Sequence, residues 1–587
     1  MREPASIGHS AAGPAIDPIE LQIIRQRLIA IPNLIERNIE RTAFSLLVRE
    51  YKDYAVGFVD ARGDLITQSR YSLPAFVGNA LGLGVRSGLQ VFGADAMRAK
   101  DVFMVGDADV LGGHLNDVVL FTPVRVDGVL IGFFAVIVHW VDIGGAAAGS
   151  SLAPTATELA QEGVQYPVMR LVREGERIDD IFRLIAKNTR FPKLLMGDVE
   201  AQLGGCTMGC ELVEEVVQQH GLQAVLAAID AIRTDAHQSM RRAIARLPPG
   251  TYAANAFFDD DGVVLDKPIA VNVKVIADGE TVTVDFSGVS PQVTGPFNAG
   301  REGGAVATAR MAAKFLFSPF TPVNEGEFQR IRVQIPDGTF LSASSDAAHG
   351  SGPNTHATVV DTILRALHAA LPDVVPAGHH AIFGTHAITG IDERNGERFL
   401  CMDAMSGGWG AFQDCDGAGP YRSSVHGDVR DVPVEVQEAS FPYRIEAKRL
   451  REDSGGPGRF RGGLGVEKVY RFLQPLTLMN KIDRTRCAPG GLAGGGDGRP
   501  ASGKIVRANG ESTVLRKGIT AVGKDDLLYI SSGGGGGHGP VNQRAIDQVL
   551  EDVAQGYVTI EGALRDYGVD VRRANADPDP TGRPGRP

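Results

Sequence analysis

Two short segments carry side chains able to do chemistry together. The first is Gly112-Gly113-His114-Leu115-Asn116-Asp117. The second is Val138-His139-Trp140-Val141-Asp142-Ile143-Gly144-Gly145. Imidazole and carboxylate form a natural ligand set for Zn, Mn or Fe. His114 and Asp117 fit within one short turn. His139 ends an apolar run that starts at Leu130, so a hairpin partner strand can bring it alongside them. Three protein ligands leave a position for water, as metal-assisted hydrolysis requires. The residue types leave a plainer reading open: His114 could cap a loop, and His139 could be a satisfied core histidine beside Trp140.

Other candidates are less sharply drawn. Asp53 opens the first strand after a long helix, where a solvated edge or surface ion pair would serve as well. Asp198 and Gln202 share one face of a helix, although Asp198 could equally be an N-cap. His379, His380 and His386 are a further ligand source, ranked lower because no acidic residue shares a turn with them. Cys206 and Cys210 lie one helical turn apart and read as buried small hydrophobes rather than half of a zinc ribbon. The Gly-rich segments 407–410, 455–465, 490–496 and 533–537 read as turns. None fits G-x-x-x-x-G-K-[ST]. Gly503-Lys504 and Gly523-Lys524 are followed by Ile505 and Asp525, which supply no hydroxyl for magnesium. G-x-S-x-G and H-E-x-x-H do not occur, which disfavours serine hydrolases and zincins.

The elements that must position these residues follow from periodicity. Asp17-Pro18 starts a long amphipathic helix running to about Ser45, with a kink or break expected at Pro32. Strands are expected over 54–59, 102–105, 118–124 and 130–138. The last two flank the hairpin turn Val126-Asp127-Gly128. A helical section over about 169–247 ends at Pro248-Pro249-Gly250. Alternation over 270–276 and 281–286 marks further strands. Helices are expected over about 304–317, 357–371 and 542–567.

At 587 residues the chain exceeds one hydrophobic core, so several domains are expected. We divide it into a disordered tail (1–16), a metal-binding α/β region (17–247) and a mixed β/α region (248–400). A Gly-rich β region with a C-terminal helix (401–572) and a second disordered tail (573–587) follow. The net charge of -11, with no run of like charges, disfavours nucleic-acid and membrane partners. Five cysteines and the absence of a leader-like N-terminus point to the cytoplasm. The 73 glycines imply many positive-φ turns or close backbone approaches.

Along nearly the whole chain, from about Asp17 to Tyr567, the sequence resembles one family. The stretches that carry the likeness include DPIELQIIRQRL, RTAFSLLVREYKDYAVGFVDARGDLITQ, GGHLNDVVLFTPV, HWVDIGG, QEGVQYP, NTRFPKLLMGDVEAQ, VDFSGVSPQVTGPFN, VPVEVQEASFPYRIE, REDSGGPGRFRGGLG and SGGGGGHGP. In this order they resemble hydantoinase B, the B half of 5-oxoprolinases, and related subunits of lactamases and acetone or acetophenone carboxylases.

The resemblance implies a multi-domain, mixed α/β hydantoinase B-like fold. It implies a divalent metal held by Asp53, His114, Asp117 and His139. Many relatives carry a second histidine directly after the later one; here that residue is Trp140. Asp142, as a carboxylate orienting His139, and Asp198 are the candidate catalytic carboxylates. The resemblance further implies a separate hydantoinase A-like subunit, with an actin-like ATPase fold, that binds ATP and Mg in a hetero-oligomer. The implied reaction opens a cyclic amide such as a hydantoin, 5-oxoproline or a lactam. An amide carbonyl is a poor electrophile, and phosphorylating its oxygen supplies a leaving group. A ketone carboxylase using a bicarbonate-derived electrophile, and a non-catalytic scaffold for the ATPase, are the alternatives.

Overall fold

A computed structural model describes residues 17–576 apart from Asn79 and Asp428. The expected tail 1–16 and residues 577–587 of the expected tail 573–587 lie outside the described residues. Residues 573–576 close a short helix, Val571–Ala576.

The first helix, Pro18–Thr42, starts as expected. The Asp17 carboxylate accepts the Ile19 N–H at 2.9 Å, and Pro18 takes the first turn. The helix continues through Pro32 as one element. Burial of Ile24, Leu28, Ile31, Ile35 and Ile39 along one face holds it together despite the hydrogen bond that Pro32 cannot donate.

That face covers a seven-stranded antiparallel sheet. Its strands are β1 (Tyr54–Asp60), β2 (Leu65–Gln68), β3 (Val102–Gly106), β4 (Asp117–Val126), β5 (Val129–His139), β6 (Tyr166–Arg173) and β7 (Glu176–Arg177), in the order β2-β1-β5-β4-β3-β6-β7. Tyr54, Val56, Phe134 and Val136 join one core with the helices Pro18–Thr42 and Pro192–His220. Ala55, Val59, Ala135 and Ile137 join the core on the other face, with the helix Ala80–Phe92. Burial on both faces explains why β5 is continuously apolar rather than alternating. β6 and β7 correct part of the section expected to be helical from about 169. Pairing of β6 with β3 outweighs a weak local signal there. The helices Pro192–His220 and Leu222–Ile244 complete that section.

A second sheet holds β8 (Gly250–Phe258), β9 (Ile269–Ala277), β10 (Val282–Asp285) and β11 (Ile331–Gln334), ordered β11-β10-β9-β8, with β10 and β11 parallel. The expected alternation appears in β9, where Val271, Val273 and Val275 point into a core shared with the helices Ala307–Phe317 and Gly352–Ala366. Two further sheets pack around a common core that includes Ile388, Cys401, Leu478, Tyr470 and Leu528. One contains β12 (His386–Ile391), β13 (Arg398–Asp403), β16 (Leu476–Asn480) and β19 (Gly518–Val522). The other contains β14 (Tyr443–Leu450), β15 (Val466–Phe472), β17 (Ser502–Val506), β18 (Ser512–Val514) and β20 (Leu527–Ser531). The boundary expected near 400 falls within β13. The single helical stretch expected over 542–567 is two helices, Ile546–Ala554 and Ile560–Tyr567.

The Gly-rich segments correct the expectation of turns. They run beside one another and hydrogen-bond backbone to backbone: Gly535 N–H to Gly463 C=O at 2.9 Å, Gly456 N–H to Gly535 C=O at 2.8 Å and Ala411 N–H to Gly536 C=O at 2.9 Å. A Cβ on Gly535 would lie 1.9 Å from the Trp409 carbonyl oxygen. Close approach of main chains, rather than reversal of direction, requires glycine there. Among the described residues, no helix is long and apolar enough to cross a membrane.

Candidate metal centre

The centre lies where β1, β5 and β4 end side by side. Asp117 and His139 are Cα partners across the β4–β5 ladder, and the His139 N–H donates to the Asp53 C=O at 3.1 Å. The hairpin turn Asp127-Gly128 takes positive φ at both residues, 49° and 80°. From that turn the pairs run Val126 with Val129 and Arg125 with Leu130. A bulge then shifts the register, so that Val124 faces Gly132. Without this one-residue shift Asp117 would face Val138, whose side chain belongs to the opposite core. The bulge therefore puts His139 beside Asp117. His114 arrives on the loop after the short helix Ala108–Leu111, which ends on Gly112 with φ of 68°.

One ligand atom from each of His114, Asp117 and His139 lies within 4.8 Å of the others. The two imidazole rings are nearly perpendicular, with centroids 4.9 Å apart. His114 Nδ1 is 3.3 Å from Asp117 Oδ2. Yet His114 Nδ1, Asp117 Oδ1 and His139 Nδ1 are all buried without a hydrogen-bond partner among the described residues. Neighbouring ligands of one ion, each about 2.1 Å from it, sit roughly 3.0–3.5 Å apart, and the 3.3 Å between His114 Nδ1 and Asp117 Oδ2 falls in that range. Asp53 lines the same cavity but stands outside the 4.8 Å group.

Burial sets the electrostatics. It holds the His114 imidazolium well below its ordinary range, with the neighbouring His139 adding to the effect. It pulls His139 down to about 3. Both rings are therefore neutral and offer lone pairs. Burial also pushes Asp117 well up, reinforced by Asp53, and pushes Asp53 up to about 7. Two neutral imidazoles beside two carboxylates that resist ionisation make a site that a cation would relieve.

The surrounding residues sort into those near the cluster and those elsewhere. Asn116 is fully buried and ties the loop down. Its Nδ2 donates to the Trp140 C=O at 2.6 Å and its Oδ1 accepts the Ser151 N–H at 3.2 Å. Trp140 points away from the cavity into the helical core, where its indole N–H donates to Gln202 at 3.1 Å. Asp142 does not orient His139. Its carboxylate is taken up by the N–H groups of Gly149 and Arg190 and the guanidinium of Arg190, at 2.7–2.9 Å. Asp198 is likewise away from the cluster, accepting the N–H groups of Phe44 and Ser45 at 2.8 and 3.0 Å. Asp142 is taken up on both oxygens, whereas Asp198 uses Oδ1 alone and keeps Oδ2 buried without a partner among the described residues. His379 pairs with Asp361 at 2.9 Å, apart from the centre, and Cys206 and Cys210 are buried against β4.

The cluster opens on a cavity of about 80 Å³, room for several water molecules. Leu73, Phe76, Leu111 and Phe383 give it apolar walls. A second cavity of about 250 Å³, walled by Phe44, Leu47, Phe399 and Phe441, shares His139, Leu152 and Met402 with the first. The sequence reading missed His356 and Lys481, which line the first cavity, and Glu162 behind them. Lys481 directly follows the apolar strand β16, and a charge continuing an apolar run was the available signal.

The chain is similar to known proteins over nearly its whole length. The family model described as Hydantoinase B/oxoprolinase matches residues 17–541. The B component of a putative D-/L-hydantoinase from Pseudomonas sp. (strain NS671) is 28% identical over 571 residues, spanning 95% of each chain. The solved structure of the ATP-dependent caprolactamase from Pseudomonas jessenii superposes with a TM-score of 0.87 at 27% identity, covering 95% of this chain and 97% of that one. A nucleotide-free acetone carboxylase structure shares the fold, with a TM-score of 0.86 at 19% identity, covering 94% and 80%.

Proposed function

The chain belongs to the hydantoinase B/oxoprolinase family, and from that premise we propose that it is the metal-binding catalytic subunit of an ATP-dependent enzyme that opens a cyclic amide. The observation that carries the proposal is the convergence of one ligand atom each from His114, Asp117 and His139, three residues that each also keep a buried polar atom without a partner among the described residues. Other buried histidines also keep unpaired nitrogens, but here two of them stand beside a carboxylate within reach of one shared ligand. The donor set of two imidazoles and a carboxylate suits Zn, Mn or Fe. A metal held there would supply Lewis acidity and a nucleophile at neutral pH.

The chain's own residues do the positioning. The backbone bond from His139 to Asp53 and the two bonds of Asn116 fix the strand end and the loop that present the ligands. The apolar walls limit water around an activated substrate. Activation falls to a separate hydantoinase A-like subunit that binds ATP and Mg. Two relatives named as single components of larger enzymes, the B component of a hydantoinase and the beta component of a caprolactamase, support that division of labour. Likeness to acetone carboxylase at 19% identity speaks to fold alone, so we take hydrolysis rather than carboxylation.

The isolated chain is expected to hydrolyse no ATP. Combined with its ATP-binding partner, it is expected to consume ATP only when a lactam, hydantoin or 5-oxoproline is supplied, with the ring-opened acid as product. ATP hydrolysis by the chain alone would contradict the division of labour. ATP use that depends on a ketone plus bicarbonate would move the activity to carboxylation.

A further inference from the structure

Lys481 sits just past the end of β16, only 2% exposed, and lines the cavity that holds the His114–Asp117–His139 cluster. Its Nζ donates to the carbonyl oxygens of Ser151 and Gly350, the latter at 2.8 Å. Both carbonyls belong to residues that also line the cavity. Behind them Glu162, fully buried, accepts the N–H groups of Gly350 at 2.6 Å and His349 at 3.0 Å. The Gly350 peptide thus lies between a buried carboxylate and a buried ammonium. A Cβ on Gly350 would come within 2.5 Å of the Ser151 carbonyl and 2.8 Å of Glu162, which keeps the arrangement tight.

An ammonium has three N–H groups, and the two carbonyls use two of them. Ser151, which lines the same cavity and is 1% exposed, has a hydroxyl with no hydrogen-bond partner among the described residues. Burying a lysine and a glutamate costs several kcal/mol per ion before their attraction repays it. Two peptide carbonyls could be satisfied far more simply. A retained buried lysine with a spare donor and an unpaired hydroxyl, both on residues lining the cavity that also holds the candidate ligands, mark a place for an anion.

We propose that Lys481 and Ser151 form an anion subsite that holds an anionic oxygen of the substrate, phosphoryl or carboxylate, in the cavity beside the metal ligands. The inference rests on the reading of this cavity as the reaction site. Burial pulls the Lys481 ammonium down to about 7 and pushes the Glu162 carboxyl up to about 7, and each group draws the other back toward its charged form. As the group touching substrate, Lys481 would also stabilise negative charge that develops on the same oxygen during reaction.

The test uses the full chain and two variants, Lys481→Met and the double variant Glu162→Gln with Lys481→Met. The double variant removes both members of the pair, so no charge is left buried alone. Inorganic phosphate and, separately, acetate are titrated calorimetrically, and metal per chain is measured on the same samples. The expected result is anion binding by the unaltered chain and a loss of about tenfold or more in affinity in the variants at unchanged metal content. Phosphate binding alone assigns the phosphoryl source, and acetate binding alone assigns a carboxylate. Equal binding in all three proteins, or no binding of either anion to the unaltered chain, overturns the proposal. Samples without metal that still bind anions through Lys481 would sink the metal reading and leave the subsite standing. If both variants fail to fold, acetic anhydride labelling of the unaltered chain decides. Phosphate is expected to shield Lys481, whereas labelling unaffected by phosphate, or no labelling at all, overturns it.

Discussion

Replacing His114 by alanine is expected to lower turnover of the assembled enzyme by about a thousandfold or more, while the chain still folds and binds its partner. His114 contributes one of three ligand atoms, and its Nδ1 has no other partner among the described residues. Lewis-acid stabilisation supplies several kcal/mol, and each 1.36 kcal/mol is a factor of ten in rate, so losing about 4 kcal/mol gives that loss. The fold should tolerate the change because His114 sits on a loop at the cavity wall, whereas the loop itself is fastened by Asn116. Asp117→Asn tests the same point with nearly unchanged volume. Steady-state turnover, thermal unfolding and partner co-elution measured together separate the possibilities. Turnover near that of the unaltered enzyme would remove His114 from the chemistry. Lost assembly with intact folding would favour the scaffold reading.

Gly535→Ala is expected to cost more than about 4 kcal/mol, beyond the usual range for one substitution. The added Cβ would lie 1.9 Å from the Trp409 carbonyl oxygen and 2.2 Å from its carbon. Those atoms are main chain and cannot rotate aside. The segment is also pinned by the bonds of Gly535 to Gly463 and Gly456. Moving it would disturb several neighbouring strands at once. Gly204→Ala is the matched control. It lies inside the helix Pro192–His220, and a Cβ there meets nothing within 4 Å. It should be neutral or stabilising by up to about 1 kcal/mol. Thermal unfolding should show a drop of roughly 3 °C or more for Gly535→Ala and no drop for Gly204→Ala. Equal melting of the two variants would mean that the glycine segments do not pack as described.

The contrast between these two glycines shows what the sequence could convey. The hairpin was legible because Asp127-Gly128 between apolar runs encodes both the turn and its handedness. With it came the approach of His139 to Asp117. The bulge that completes the approach was not legible, because nothing local at Val124-Arg125 announces it. Asp53 lies beside the cluster, while Asp142 and Asp198 lie away from it and bond other groups. A carboxylate's type and spacing do not say which amides will meet it, and Asp198 meets Phe44 and Ser45 from far along the chain. Lys481 shows in the sequence only as a charge after the strand β16, and its partners, on loops around 151 and 350, do not show at all. The glycine clusters suggested turns because glycine serves both reversal and close approach, and only the neighbouring main chains decide between them.

The proposed chemistry depends above all on His114, Asp117 and His139 gripping one cation. Anomalous diffraction from crystals of the purified chain, collected across the Zn, Mn and Fe absorption edges, tests this most directly. A single peak is expected about 2.0–2.3 Å from one atom of each residue, near full occupancy, and lost in His114→Ala. A peak elsewhere, or fully active crystals with none at this position, would contradict it.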